Sequence, residues 1–296
     1  DGGSISVGGR TLPGFVEVTI TDSGIGISPD DQAIIFEKFG QLGRADLHSS
    51  SKVKFKGGGP GLGLSITRGI IEHGGLFQYN VARMQGKVRV PEVTTPKRPM
   101  TLAEKVLARR WVTDLSGDRV GVPYVKPGDE GFVRTDIRFS HEYVTPMAAI
   151  FWRDFVGAAE KVVDPGSIFF FRDHLTFLEL AMTDARKAEG LLDVALELKK
   201  KQEEFAEEQG ITLYGELPRT ARNSIVQGSE AICHSKMLER HVLPGQVVIG
   251  SDSHTPHSGA VGCVAFGVGT TAIFNSWLTK DVRLLSPFIP ERGKIQ

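Results

Sequence analysis

Apolar and polar residues alternate over residues 15–20, where Val16, Val18 and Ile20 are separated by Glu17 and Thr19, and this period of two predicts a half-buried antiparallel strand. The strand leads into Asp22. After a turn at 24–27, Ser28 followed by Pro29, Asp30 and Asp31 supplies a hydroxyl cap, a proline at the first helical position and acids at the positive dipole end. A helix over 29–39 follows from that start. Leu62, Leu64, Ile66, Ile70 and Ile71 mark an apolar helical face over 61–73, closed by Gly74 and Gly75. The period then lapses over 86–99, where Lys87, Arg89, Pro91, Pro96, Lys97, Arg98 and Pro99 read as a linker. Beyond it, Thr101 and Glu104 have capping-box spacing ahead of a helix reaching Arg110. Apolar runs predict strands at 131–139, 167–171 and 246–250, and a long helix at 178–209 is interrupted by Gly190 and ended by Gly210. Helices mixed with buried strands imply an α/β chain, divided as 1–85, a linker at 86–99, and 100–296.

Composition narrows the function classes. The 296 residues suffice for about two domains, and 40% hydrophobic with 24% charged residues excludes a disordered, collagen-like or membrane-embedded chain. Lys and Arg total 35 against 35 Asp and Glu, so no nucleic-acid partner is expected. The two cysteines, Cys233 and Cys263, form no disulfide framework, and no apolar run is long enough for a bilayer span. A reducing, cytoplasmic location is the expectation. Asp1 reads as the start of a fragment and Met100 as the start of a second unit, as if two neighbouring genes had been joined.

Two constellations carry chemistry. In the first, Asp22 at a strand end can accept the exocyclic amine of adenine, Gly24 and Gly26 allow close backbone approach, and Gly57–Gly63 open a helix whose amides can cradle phosphates. Neither G-x-x-x-x-G-K-[ST] nor a completed G-x-G-x-x-G is present. Asp22, Gly24 and Gly26, then Phe36 and Phe39, then Gly59, Gly61 and Gly63 together resemble the boxes of the ATP-binding domain of sensor histidine kinases, in the wider family shared with gyrase and Hsp90. That resemblance implies a partial ATP-binding α/β sandwich that takes ATP with Mg through these residues. It puts the family's Mg-binding Asn helix and phospho-accepting His helix upstream of residue 1, so kinase activity is not expected.

In the second, polar groups follow apolar strands: Asp173 and His174 after residues 168–171, and Ser251 to Thr255 after residues 247–250. Ligands bind at such strand ends in α/β sheets. Asp252 and His254, two apart in an extended segment, would project to one side, a carboxylate orienting an imidazole for acid–base work, with His141 and His234 able to join. A Ser-His-Asp hydrolase is excluded because G-x-S-x-G is missing and these residues are too close in sequence to converge as a triad. His254 and His257 with Cys233 and Cys263 show no zinc-ligand spacing, so no metal ligand is expected.

The segments Met100–Lys105, His141-Glu142, Asp173-His174, Ile232-Cys233-His234, Gly250–Thr255 and Gly267–Thr271 resemble the aconitase family, including the large subunit of 3-isopropylmalate dehydratase, over about 100–285. The resemblance implies an aconitase-type α/β domain, a small-molecule hydroxy-di- or tricarboxylic acid substrate, a small dehydratase subunit as partner, and a [4Fe–4S] cluster acting as Lewis acid. By motif position, Asp173 and His174 would help protonate the leaving hydroxyl, while His141, His234, Asp252, Ser253 and His254 would line the cluster and substrate pocket. The family's three cluster cysteines fall downstream of the matched segments, at places Cys233 and Cys263 do not occupy. The chain alone is therefore expected to hold no stable cluster and to catalyse no dehydration. The alternatives are an ATP-binding kinase fragment and a non-catalytic fusion or gene-model artefact.

Overall fold

A computed structural model describes residues 3–12, 15–24, 79–80, 82–83, 85–115, 119–217 and 228–284. Contacts divide the chain into two units, 1–73 and 74–296.

In the first unit, β1 (Ile5–Leu12) pairs antiparallel with β2 (Phe15–Asp22), in register from Ile5 opposite Asp22 to Leu12 opposite Phe15. Arg10 and Glu17 face each other across the ladder at 2.7 Å. The predicted strand is present, but its predicted half-burial is not: Val18 and Ile20 are 64% and 69% exposed. A two-stranded ribbon has no further layer among the described residues to cover either face. The expected helices at 29–39 and 61–73, with Gly26, Phe36, Phe39, Gly59, Gly61 and Gly63, lie outside the described residues.

The second unit is an α/β fold. Residues 86–99 form no helix or strand and lie along this unit: Thr95 is buried and bonds Asp129, Arg98 bonds Glu104, and Val93 and Met100 pack on an apolar cluster. The capping box forms as its spacing predicts, with Glu104 N donating to Thr101 Oγ1 and Thr101 N to Glu104, at the start of α1 (Leu102–Arg110). A short ribbon of β3 (Val112–Asp114) and β4 (Arg119–Val120) follows.

The strand expected over 131–139 is two strands in different sheets. β5 (Gly131–Arg134) pairs antiparallel with β11 (Asp281–Leu284), and β6 (Ile137–His141) enters the main sheet. The break has a cause in Thr135 and Asp136: Thr135 N donates to Lys280 O, and the Asp136 carboxylate accepts from Val247 N and Arg110. The long helix expected over 178–209 is likewise three: α3 (Leu178–Ala181), α4 (Asp184–Ala188) and α5 (Leu191–Gln209). Gly190 at φ +77° and Gly210 at φ +69° adopt the left-handed backbone that bounds α5 at both ends.

The main sheet adds β7 (Ile168–Phe171), β8 (Thr212–Tyr214), β9 (Val247–Gly250) and β10 (Val264–Gly267) to β6. Its spatial order is β10-β9-β6-β7-β8, all neighbours parallel. The chain order therefore reverses between β9 and β6, a topological switch point. Both faces are covered, which explains why β7 is the unbroken apolar run Ile-Phe-Phe-Phe. On one face Ile168, Phe170 and Ile249 meet Trp152 of α2 (Thr145–Phe155), Phe205 of α5, and Phe274 and Trp277 of α7 (Thr270–Thr279). On the other, Phe139, Phe169, Phe171 and Val248 meet Met237 and Cys233 of α6 (Cys233–Arg240).

Candidate functional site

Because β6, β7 and β9 run parallel, their C-terminal ends share one edge of the sheet, and each is followed by a polar turn. β6 ends on His141, with Glu142 next in the chain. Thr145 Oγ1 donates to His141 O at 2.9 Å, and Gln202 from α5 reaches Phe171 O at 3.0 Å and Thr145, so packed polar contacts fix both strand ends. β7 runs through Arg172 into a 3-10 turn, Asp173–Leu175. β9 runs into residues 251–254 and a second 3-10 turn, Thr255–Val261.

Asp252 and His254 are not in an extended segment, as the sequence reading had them. Asp252 Oδ1 accepts from His254 N at 2.7 Å and meets the His254 imidazole at 2.8 Å, so a side-chain bond to the backbone two residues on folds the segment into a turn. The turn still joins the pair. His234, at the first turn of α6, places Nε2 3.0 Å from the same Asp252 oxygen. Its ring packs edge-on against Phe139 and lies parallel to His257. Burial opposes ionisation of Asp252, but the His254 amide and the two imidazoles outweigh it and bring the carboxyl down to about 2. Ser253 stands exposed on the turn.

The neighbouring group sits between β6 and β7. Glu142 is fully buried; its Oε1 accepts from Leu175 N at 3.0 Å and lies 3.4 Å from His174 Nδ1. The His141 and His174 rings are 4.9 Å apart. Burial, reinforced by the charge of Asp173, pushes the Glu142 carboxyl up to about 7, and burial with the nearby His174 pushes the His141 imidazole down. Two contacts tie this group to the first: His141 N donates to Ser251 Oγ at 3.2 Å, and Cys233 Sγ donates to Asp173 Oδ2 at 2.8 Å.

The structure thus brings His141, Asp173, His174, His234, Asp252, Ser253 and His254 to one sheet edge beside the switch point. Asp22 and Gly24 belong to the other unit, where Asp22 Oδ1 accepts from Gly24 N at 2.7 Å. Glu142 and Ser251 were not among the residues singled out as site residues. An acid directly after a strand-end histidine was the available signal for Glu142. A cleft of about 180 Å³, between the turn after β7 and α5, is lined by Arg172, Leu175, Phe177, Leu178, Leu196 and Lys199 and by no histidine.

The family model for "Aconitase family (aconitate hydratase)" matches residues 105–289. That for "Histidine kinase-, DNA gyrase B-, and HSP90-like ATPase" matches residues 1–99. Among curated proteins, the chain is 32% identical over 188 residues to the chloroplastic 3-isopropylmalate dehydratase large subunit of Arabidopsis thaliana, covering 62% of this chain and 33% of that one. It is 35% identical over 173 residues to 3-isopropylmalate dehydratase large subunit 1 of Pyrococcus furiosus, covering 58% and 33%. It is 31% identical over 200 residues to a probable methanogen homoaconitase large subunit of Methanothermobacter thermautotrophicus, covering 67% and 39%. The chain spans about a third of the length of the first of these relatives.

The donor set bears on an iron–sulfur cluster, which takes cysteine thiolates. The sequence has two cysteines. Cys233 is buried with its thiol on Asp173, and burial together with that hydrogen bond pushes its ionisation well above the usual range. Cys263 donates to Ser258 O at 3.0 Å. These residues do not fit a [4Fe–4S] cluster.

Proposed function

Since the chain belongs to the aconitase family, we propose that its second unit is the acid–base and substrate-contacting part of a hydro-lyase acting on a hydroxy-di- or tricarboxylic acid, of which isopropylmalate is the leading candidate. The observation that supports it is the meeting of histidines and carboxylates from three strand ends and one helix start at the switch point. Removal of water across a carbon–carbon bond needs one group to give a proton to the departing hydroxyl and another to receive a proton from the adjacent carbon. Asp173 and His174 suit the first task, with His174 half-exposed and able to meet a ligand. His254 is mostly exposed and anchored through Nδ1 to an ionised Asp252, which leaves Nε2 to face a ligand. His141, His234 and Ser253 line the same floor. We further propose a cytoplasmic setting and a small dehydratase subunit as partner. Without cluster-ligating cysteines, the chain by itself binds the acid without dehydrating it.

Isothermal titration of the full chain with 3-isopropylmalate and citrate tests this reading. Saturable binding of at least one acid, weakened tenfold or more by His254→Ala and unchanged by the surface substitution Lys200→Ala, is the expected result. No binding of either acid, or binding indifferent to His254→Ala, overturns it.

For the first unit a second reading is favoured by its match to the ATPase family. We propose that it takes ATP with Mg, with Asp22 at the end of β2 accepting the adenine amine beside Gly24 and Gly26, while Phe36, Phe39, Gly59, Gly61 and Gly63 complete the pocket. Fluorescence titration with a labelled ATP analogue is expected to saturate in the native chain and to be lost in Asp22→Asn. Equal binding by both contradicts this role.

A further inference from the structure

We propose that His141, Glu142 and His174 form a binding site for a divalent first-row transition-metal ion. This goes beyond the hydro-lyase reading and does not depend on it.

Tyr143 N donates to His141 Nδ1 at 3.3 Å, so that nitrogen carries a lone pair and no proton. Facing it at 4.0 Å is Glu142 Oε2, an acceptor that is buried and has no hydrogen-bond partner. The two atoms lie near one another at a separation too long for a hydrogen bond between them. A buried acceptor without a partner is costly, and it calls for a positive group in that gap. The third side chain completes the set: His174 Nδ1 lies 3.4 Å from Glu142 Oε1, and the three residues offer donor atoms all within 4.8 Å of one another.

These spacings suit a cation. With metal–nitrogen and metal–oxygen bonds of roughly 2.0–2.2 Å, neighbouring ligand atoms sit roughly 3–4 Å apart. Two imidazoles and one carboxylate form a donor set taken by zinc and ferrous ions. The long contact from Tyr143 N is the one such an ion would replace. Access is through His174, whose side chain is 42% exposed, while Glu142 at 0% supplies a buried carboxyl that releases its proton as the ion binds.

The other cluster, His234, Asp252 and His254, differs in kind. There Asp252 Oδ1 already takes both imidazoles, at 3.0 and 2.8 Å, and the His254 amide at 2.7 Å. Its carboxylate oxygen is satisfied without an ion.

Calorimetric titration of the full chain with zinc chloride, checked by metal content after dialysis, tests the assignment. One equivalent is expected to bind, with affinity reduced at least tenfold in Glu142→Gln and in His174→Ala and unchanged in Asp252→Asn. His174→Ala removes a half-exposed ring, so the test survives if Glu142→Gln fails to fold, which a thermal melt reports. Three results overturn the proposal: no stoichiometric binding, binding undiminished in a folded Glu142 or His174 variant, or binding lost in Asp252→Asn instead.

Discussion

Arg138→Met is expected to cost the second unit about 2–4 kcal/mol, since hydrogen bonds from a charged donor contribute about 1.5–3 kcal/mol each and the buried methionine offsets part of their loss, out of a total stability of about 5–15 kcal/mol. The side chain is fully buried on β6, yet its guanidinium is spent almost entirely on the backbone. Nη1 donates to Ser276 O at 2.5 Å, and Nη2 to Val163 O and Asp164 O at 2.8 Å and to Ser167 Oγ at 2.5 Å. One residue thereby fastens the central strand to α7 and to the segment leading into β7. Burial brings the guanidinium down to about 10, against the pull of Asp164 and Asp281, so it remains charged at neutral pH. Methionine fills similar space but leaves Val163 O without its donor, at about 1–3 kcal/mol, and takes one donor each from Ser276 O, which keeps Lys280 N, and Asp164 O, which keeps Ser167. Urea unfolding measures the loss, with Arg138→Lys recovering part of it. A methionine variant within about 1 kcal/mol of the native chain contradicts this role for the hydrogen bonds.

Gly250→Ala should abolish hydroxy-acid binding and lower stability by about 1–3 kcal/mol, the usual cost of overpacking. A Cβ at Gly250 would fall 2.5 Å from Cζ and 2.7 Å from Cε1 of Phe139, and against Thr255 Oγ1. Neither neighbour can yield cheaply. Phe139 packs edge-on against Phe171 and His234, and Thr255 Oγ1 donates to Asp252 O at 2.6 Å, so any relief displaces the two groups that fix the Asp252 turn. Gly267 presses the same turn from β10, where a Cβ would meet the Asp252 carbonyl. Gly259→Ala, which meets open space, is the control and should leave binding intact. Calorimetric melts and acid titrations of the two variants decide it, and normal binding by Gly250→Ala contradicts the close packing beneath the turn.

Much of the second unit is legible in the sequence because its signals are local. The Thr101/Glu104 box, the glycines at 190 and 210, and the apolar runs that become β7 and β9 each depend on residues a few positions apart. What escapes depends on distant partners. The break between β5 and β6 needs Asp136 to receive Val247 N, a contact 111 residues away, and the break between α3 and α4 falls on extended Met182 and Thr183, where no glycine or proline marks it as Gly190 marks the start of α5. The site divides the same way. Strand-end positions pointed to Asp173, His174, Asp252 and His254, with His141 and His234 able to join them, whereas the role of Glu142 depends on a burial to which the β7 turn contributes. Its metal-binding potential is hidden from any rule based on Cys and His intervals, since its donors come from two strand ends more than thirty residues apart.

If the histidines at the sheet edge form one hydroxy-acid pocket, imidazole nitrogen NMR during titration with 3-isopropylmalate registers it. His141, His174, His234 and His254 should shift together along one saturation curve. His241, held by Tyr214 OH at 2.9 Å and tilted against Phe169 with ring centroids 3.9 Å apart, should stay in place. Independent curves for the four, or shifts no larger than that of His241, would contradict a single pocket.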